Sequence, residues 1–171
     1  KRKYYYMKKI IIAIFICLST CAIYAQDYAT DFIKLQEQFE NRAKFTQEHI
    51  KTYLGKYPCT PYSDEIQLML AVLEVEKNNF DKAKKIFANI DTKNLSRSSE
   101  STLSFYKGYA LVNLKEYDQA LTVLRPLKKK QNPYSMQATY YIGYCYYQQQ
   151  LYPQALSEFL KSGHLAGAAL D

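Results

Sequence analysis

Tryptophan is missing from this chain, and glycine, proline and histidine are scarce: among 171 residues there are five glycines, five prolines and two histidines. So few turn formers argue against a fold of many short strands. His49 and His164 stand alone, with no HExxH spacing, so neither zinc ligation nor histidine acid–base chemistry has a sequence basis. No phosphate-binding glycine loop, GxGxxG or GxSxG occurs. Glu74 and Glu76 would stand about 200° apart on a helix and could not work as a pair. The cysteines lack metal-site spacing. The expectation is therefore a chain with no catalytic residues, no cofactor, no metal and no small-molecule substrate.

Acidic residues are also absent before Asp27. The segment ahead of it is basic ("KRKYYYMKK"), then apolar over the 14 residues Ile10–Ile23, then small at Ala25. This is the composition of a secretory signal peptide over residues 1–25, with Met7 as the natural start and cleavage after Ala25. The apolar run falls short of the roughly 20 residues a membrane span requires. Two other routes stay open: "LSTC" (Leu18–Cys21) resembles a bacterial lipoprotein signal, which would put a lipid on Cys21, and the segment could be retained as an anchor. Export to the periplasm or outer membrane of a Gram-negative bacterium is expected, with membrane contact only through such an anchor or a neighbouring complex. Without residues 1–25, 18 of the 23 basic residues face all 16 acidic ones, a net charge of +2. Nucleic acid is not an expected partner of so balanced a domain. The lysines Lys128–Lys130 suit a helix C-terminus. Cys59 and Cys145, both beyond the leader, are expected to lie too far apart for a disulfide.

What the chain does have is tyrosine, 18 of them, and a repeat. "LMLAVLEVEKNNFDKAKKIFANI" (Leu68–Ile90), "FYKGYALVNLKEYDQALTVLRPL" (Phe105–Leu127) and "YYIGYCYYQQQLYPQALSEFLKS" (Tyr140–Ser162) align. Each carries a small residue, an aromatic nine positions on, an alanine three later and a bulky apolar residue four after that. The sets are Ala71, Phe80, Ala83, Phe87; Gly108, Tyr117, Ala120, Leu124; and Gly143, Tyr152, Ala155, Phe159. The alanines are 37 and 35 residues apart, and "PYS" precedes the first and third sets. Within each stretch two amphipathic helical patterns flank a short polar break, "KNN", "KE" or "QQQ". Pro153 suits the first turn of a helix. Pro126 should end or kink one near Arg125. Small residues at fixed register predict close helix crossings, and a single hairpin cannot bury its apolar face without a neighbour.

These residues resemble the tetratricopeptide repeat over Asp64–Ser162, with spacing closer to its Sel1-like relatives. The resemblance implies an all-α fold, a right-handed α-solenoid of helix-turn-helix repeats over about 62–94, 99–132 and 135–163. Residues 26–61 read as a degenerate helical pair, and 164–171 as the start of a further helix or the end of a fragment. Departures from the family pattern are Lys107 and Glu74 at usually apolar positions and Ala71 where glycine is usual.

The resemblance also implies a ligand groove lined by the first helix of each repeat. The matching positions are Phe105, Tyr109 and Asn113, then Tyr140, Tyr144, Tyr147 and Gln148, with Leu68, Val72, Val75, Glu76 and Val112 alongside. Tyr140, Tyr144 and Tyr147 share one helix face. Tyr141, Cys145 and Tyr152 should point elsewhere, and Tyr146 into the core. Such a stripe could pack on a further repeat, bind a protein or peptide, or stack on sugars or bases. The implied function is a protein-interaction scaffold of the cell envelope that takes a peptide or helix in its concave groove. The alternatives are a glycan- or peptidoglycan-binding module and a structural spacer.

Overall fold

A computed structural model describes residues 27–41, 47–129 and 131–167. The expected signal segment with Cys21 lies outside the described residues, as do residues 168–171. The chain divides into two compact units, Lys1–Pro61 and Tyr62–Asp171.

In the first unit, helix α1 covers 27–40 and α2 covers Gln47–Lys56. Phe32 and Leu35 of α1 are buried, as are Ile50 and Tyr53 of α2 and Tyr57 just after it. The Tyr53 ring meets Phe32 edge-on at 6.2 Å and lies tilted against Tyr57 at 5.0 Å. Its hydroxyl donates to the Tyr28 carbonyl at 3.0 Å, which leaves Thr60 to donate to Tyr53, also at 3.0 Å. At the rim, Lys56 and Tyr57 both donate to one oxygen of Asp31, at 2.7 and 2.8 Å. Those hydrogen bonds hold the Asp31 carboxyl down at about 2.

The second unit contains six α-helices among its described residues: α3 (Ser63–Glu76), α4 (Phe80–Ala88), α5 (Arg97–Asn113), α6 (Tyr117–Leu124), α7 (Ser135–Gln148) and α8 (Tyr152–Gly167). They pair as three hairpins, α3/α4, α5/α6 and α7/α8, and each hairpin packs on the next through α4 against α5 and α6 against α7. The same turn closes all three. Asn78, Lys115 and Gln150 sit at φ 60°, 62° and 62°, 37 and 35 residues apart. In each turn the next N–H returns to the carbonyl five residues earlier: Asn79 to Glu74, Glu116 to Leu111 and Leu151 to Tyr146, all at 2.9 Å. The left-handed residue's own N–H reaches Val75, Val112 or Tyr147 at 2.9–3.0 Å. This is the Schellman closure of a helix, made here without the usual glycine.

Small residues sit where the paired helices touch. Ala83 and Ala120 are fully buried and Ala155 nearly so. A Cβ at Gly108 would collide with the Leu124 side chain, and one at Gly143 would lie 2.9 Å from the Phe159 ring. Between the second and third hairpins, Leu111, Leu121, Leu124 and Leu127 close a core with Ala138, Ile142 and Cys145. As its proline predicts, α6 stops at Leu124, and a single 3₁₀ turn, Arg125–Lys128, carries Pro126 where no N–H is needed. Glu74 departs from the apolar pattern yet is 2% exposed; Lys82 and Asn79 from beyond the turn reach its carboxylate at 2.8 and 2.9 Å. Polar ties also cross the junctions, with Lys84 on Glu116 and Lys128 on Glu158, both at 2.6 Å. α8 runs without a break through Gly167, past the position where the third repeat was expected to close.

The second unit is therefore an all-α solenoid of helix-turn-helix repeats. Its first helices also touch each other, α3 on α5 and α5 on α7, with no comparable contact from α4 to α6 or α6 to α8 among the described residues. The stack is tighter on the first-helix side, which makes that side the inner one.

Candidate functional site

On this inner side, between α5 and α7, opens a cavity of about 300 Å³. Tyr109 and Asn113 reach it from α5, one helical turn apart, and Tyr140 and Tyr144 from α7 with the same spacing. Val112, Lys115, Tyr117 and Tyr141 complete the lining. The Tyr141 ring stands edge-on to Tyr109 at 5.1 Å, so it wedges between the two helices. Burial first, and then neighbouring Tyr109 and Tyr140, raises the Tyr141 pKa; burial, then Tyr144 and Cys145, does the same for Tyr117. Both phenols stay protonated and able to donate. The Asn113 amide donates to the Tyr109 carbonyl at 2.9 Å, which fixes its orientation. Lys115, raised on the left-handed turn, is the one cation among the lining residues.

Five of the expected groove residues thus meet: Tyr109, Val112, Asn113, Tyr140 and Tyr144. Three others do not line this cavity. Phe105 is stacked on Tyr134, ring centroids 4.6 Å apart and planes 9° from parallel, so it belongs to the packing between hairpins. Tyr147 is exposed and leans edge-on against Tyr152 at 5.8 Å. Gln148 is exposed beyond it. In the first hairpin Leu68, Val72 and Val75 are buried, so that stretch of α3 offers core rather than open surface. Tyr141 is a correction: it was expected to point away, but the packing of α7 on α5 turns it into the cavity. Tyr146 is only half-buried, and its hydroxyl accepts a hydrogen bond from Arg125 at 3.0 Å.

Sequence reasoning missed Tyr117 and Lys115 as well. Tyr117 carried a signal, because its repeat equivalents are also aromatic, Phe80 and Tyr152. Lys115 carried none; only the turn geometry brings it to the rim.

The surface is a wall of aromatic rings edged by hydroxyls, one amide and one ammonium. It suits an amphipathic chain segment, which rings bury and polar edges orient. The cysteine beneath it is no nucleophile: burial pushes the Cys145 thiol up to about 11 and keeps it protonated. Cys59 and Cys145 are both free thiols. Among the described residues no cluster of histidine, cysteine and carboxylate side chains could hold a metal ion, and no helix is long and apolar enough to cross a membrane. A family model described as a tetratricopeptide repeat-like domain matches residues 22–163. No curated protein and no solved structure matches the chain.

Proposed function

From the membership of this chain in the tetratricopeptide repeat-like family, whose members generally serve as protein-interaction scaffolds, we propose a non-catalytic adaptor that binds a peptide or helix of a partner protein on its inner face. Tyr109, Tyr140 and Tyr144 are the apolar anchors in this reading. Asn113 and Lys115 supply hydrogen bonds and charge, and Tyr147 and Gln148 extend the contact along α7. The observation that carries the reading is the open cavity in which aromatic side chains from two repeats converge with polar groups at their edges. A side-chain core that served packing alone would be closed there, as it is around Leu111, Leu124 and Ile142.

The test is a peptide-display selection against the 171-residue chain, followed by calorimetry on the selected sequences. The Tyr109→Ala, Tyr144→Ala double variant should keep its helicity by circular dichroism and bind about tenfold or more weakly, since each anchor removed is worth over 1 kcal/mol. Equal binding by both proteins would overturn the assignment of this face.

We place the adaptor in the envelope of a Gram-negative bacterium. The support is the basic, then apolar, then small composition of residues 1–25. Mass spectrometry of the protein recovered from its cells distinguishes the routes. A mature N-terminus at Gln26 means simple secretion, a lipid-bearing Cys21 means a membrane anchor, and an unprocessed leader in the cytoplasmic fraction rejects export.

A further inference from the structure

One side chain closes the junction between the second and third hairpins. Tyr134, the residue before α7, lays its ring flat on Phe105 at 4.6 Å and edge-on to Tyr106 at 6.5 Å. Its hydroxyl lies 3.1 Å from that of Thr102. Thr102 already donates to the Ser98 carbonyl, so the tyrosine is the donor. The junction before it uses the same register with a smaller residue. Ser99, 35 residues ahead of Tyr134, donates to Glu65, 37 residues ahead of Thr102, at 2.6 Å.

The third copy of this arrangement is open among the described residues. Gln137, Tyr140 and Tyr141 are the equivalents of Thr102, Phe105 and Tyr106, each 35 residues on. They line a cleft of about 680 Å³ together with Met136, Phe159 and Gly163. The aromatic pair is already in the receiving geometry. Tyr140 and Tyr141 lie 5.4 Å apart at 80°, and Phe105 and Tyr106 lie 5.4 Å apart at 81° under the Tyr134 ring. An independent sign comes from α8. Leu121 of α6 is 5% exposed beneath α7, but Leu156, its equivalent on α8, is 61% exposed, and Tyr152 and Leu160 flank it on the same face.

We propose that this cleft is a socket for the tyrosine of a partner helix entered through a Pro-Tyr-Ser turn, as Pro133–Ser135 enters α7. The incoming ring stacks on Tyr140 and its hydroxyl bonds to Gln137. The helix that follows it covers Tyr152, Leu156 and Leu160. The basis is continuity: the chain builds this interface once between its own second and third hairpins and repeats its receiving half on the side of the third hairpin that faces away from the second. The socket shares Tyr140 and Tyr141 with the inner-face cavity, but Met136, Gln137, Phe159 and Gly163 line the socket alone, so changes at Met136 and Gly163 test it independently of the inner face.

A synthetic peptide with the sequence Gln131–Gln148, labelled at its C-terminus, is the probe, and its binding to the 171-residue chain is followed by fluorescence anisotropy. Saturable binding should weaken about tenfold when the peptide carries Tyr134→Ala, and far less with Tyr134→Phe, which keeps the ring. In the protein, Gly163→Phe should block the socket; a Cβ there meets nothing within 4 Å, so the fold tolerates the change. Met136→Glu, at an exposed position on the mouth, should do the same. The proposal fails if the peptide does not bind at concentrations up to about 1 mM. It fails equally if Tyr134→Ala binds as well as the parent peptide, or if neither protein variant reduces binding. A dimer of the chain that Gly163→Phe dissolves would put a second copy in the socket and overturn the chosen occupant.

Discussion

At the scale of single residues, the repeat is governed by how closely helices approach. Replacing Gly108 by alanine places a methyl on Leu124, which is fully buried and hemmed in by the inter-hairpin core. Overpacking of this kind costs about 1–3 kcal/mol, against a gain of about 1 kcal/mol in helix propensity. Gly108→Ala should therefore destabilise the chain in urea. Gly143→Ala meets the partly exposed Phe159 ring, which can yield, and the Ala155 carbonyl at 3.3 Å, which yields less, so it should destabilise the chain less than Gly108→Ala does. The hairpin turns point the other way. Gln150 holds a left-handed conformation that glycine adopts without strain. Gln150→Gly should add about 0.5–1 kcal/mol to the unfolding free energy, visible as a higher urea midpoint. The small residues were legible in the sequence because steric exclusion leaves few alternatives. The left-handed turns were not, since "KNN", "KE" and "QQQ" contain no glycine to mark them.

At the scale of helices, the chain joins its elements with carboxylates from one and ammonium groups from another. Asp31 on α1 receives both Lys56 and Tyr57, and a carbon-13 NMR titration of its carboxyl should give a midpoint near 2. Lys56→Ala should move that midpoint back towards the ordinary 3.8. The folded carboxyl binds its proton less readily than the unfolded one. The tie therefore stabilises the helix pair above about pH 4 and fades as pH falls towards 2. The site is exposed, so the effect is small and weakens with salt. Glu158 on α8 behaves similarly. Its burial opposes ionisation, but hydrogen bonds from Lys128 and Lys161 prevail and hold its pKa below the usual value. Helix ends such as the one at Pro126 could be read from the sequence, because proline's missing N–H acts locally. Glu74 and Tyr141 could not. The burial of Glu74 depends on Lys82 and Asn79 from across a turn, and the direction of Tyr141 is set by Tyr109 and Phe105 on a different helix.

At the scale of the whole molecule, the two cysteines among the described residues report on opening. Cys59 is exposed, while Cys145 is fully buried at the centre of the junction between hairpins and protonated at any ordinary pH. A maleimide pulse read by peptide mass spectrometry should label Cys59 at once. Cys145 should be labelled only as fast as the third hairpin separates from the second, so its rate should rise with urea while that of Cys59 stays flat. Similar rates in native buffer would show that the junction does not stay closed.

Each hairpin of the second unit leans chiefly on its neighbours in the row, and this gives the solenoid a mechanical character. Pulled from its ends, such a row parts at its weakest junction, while the remaining hairpins continue to bear load. Every hairpin released pays out some 35 residues, about 120 Å of extended chain. A force–extension trace would therefore be a staircase of nearly equal steps, the signature of a tether that lengthens in increments under tension.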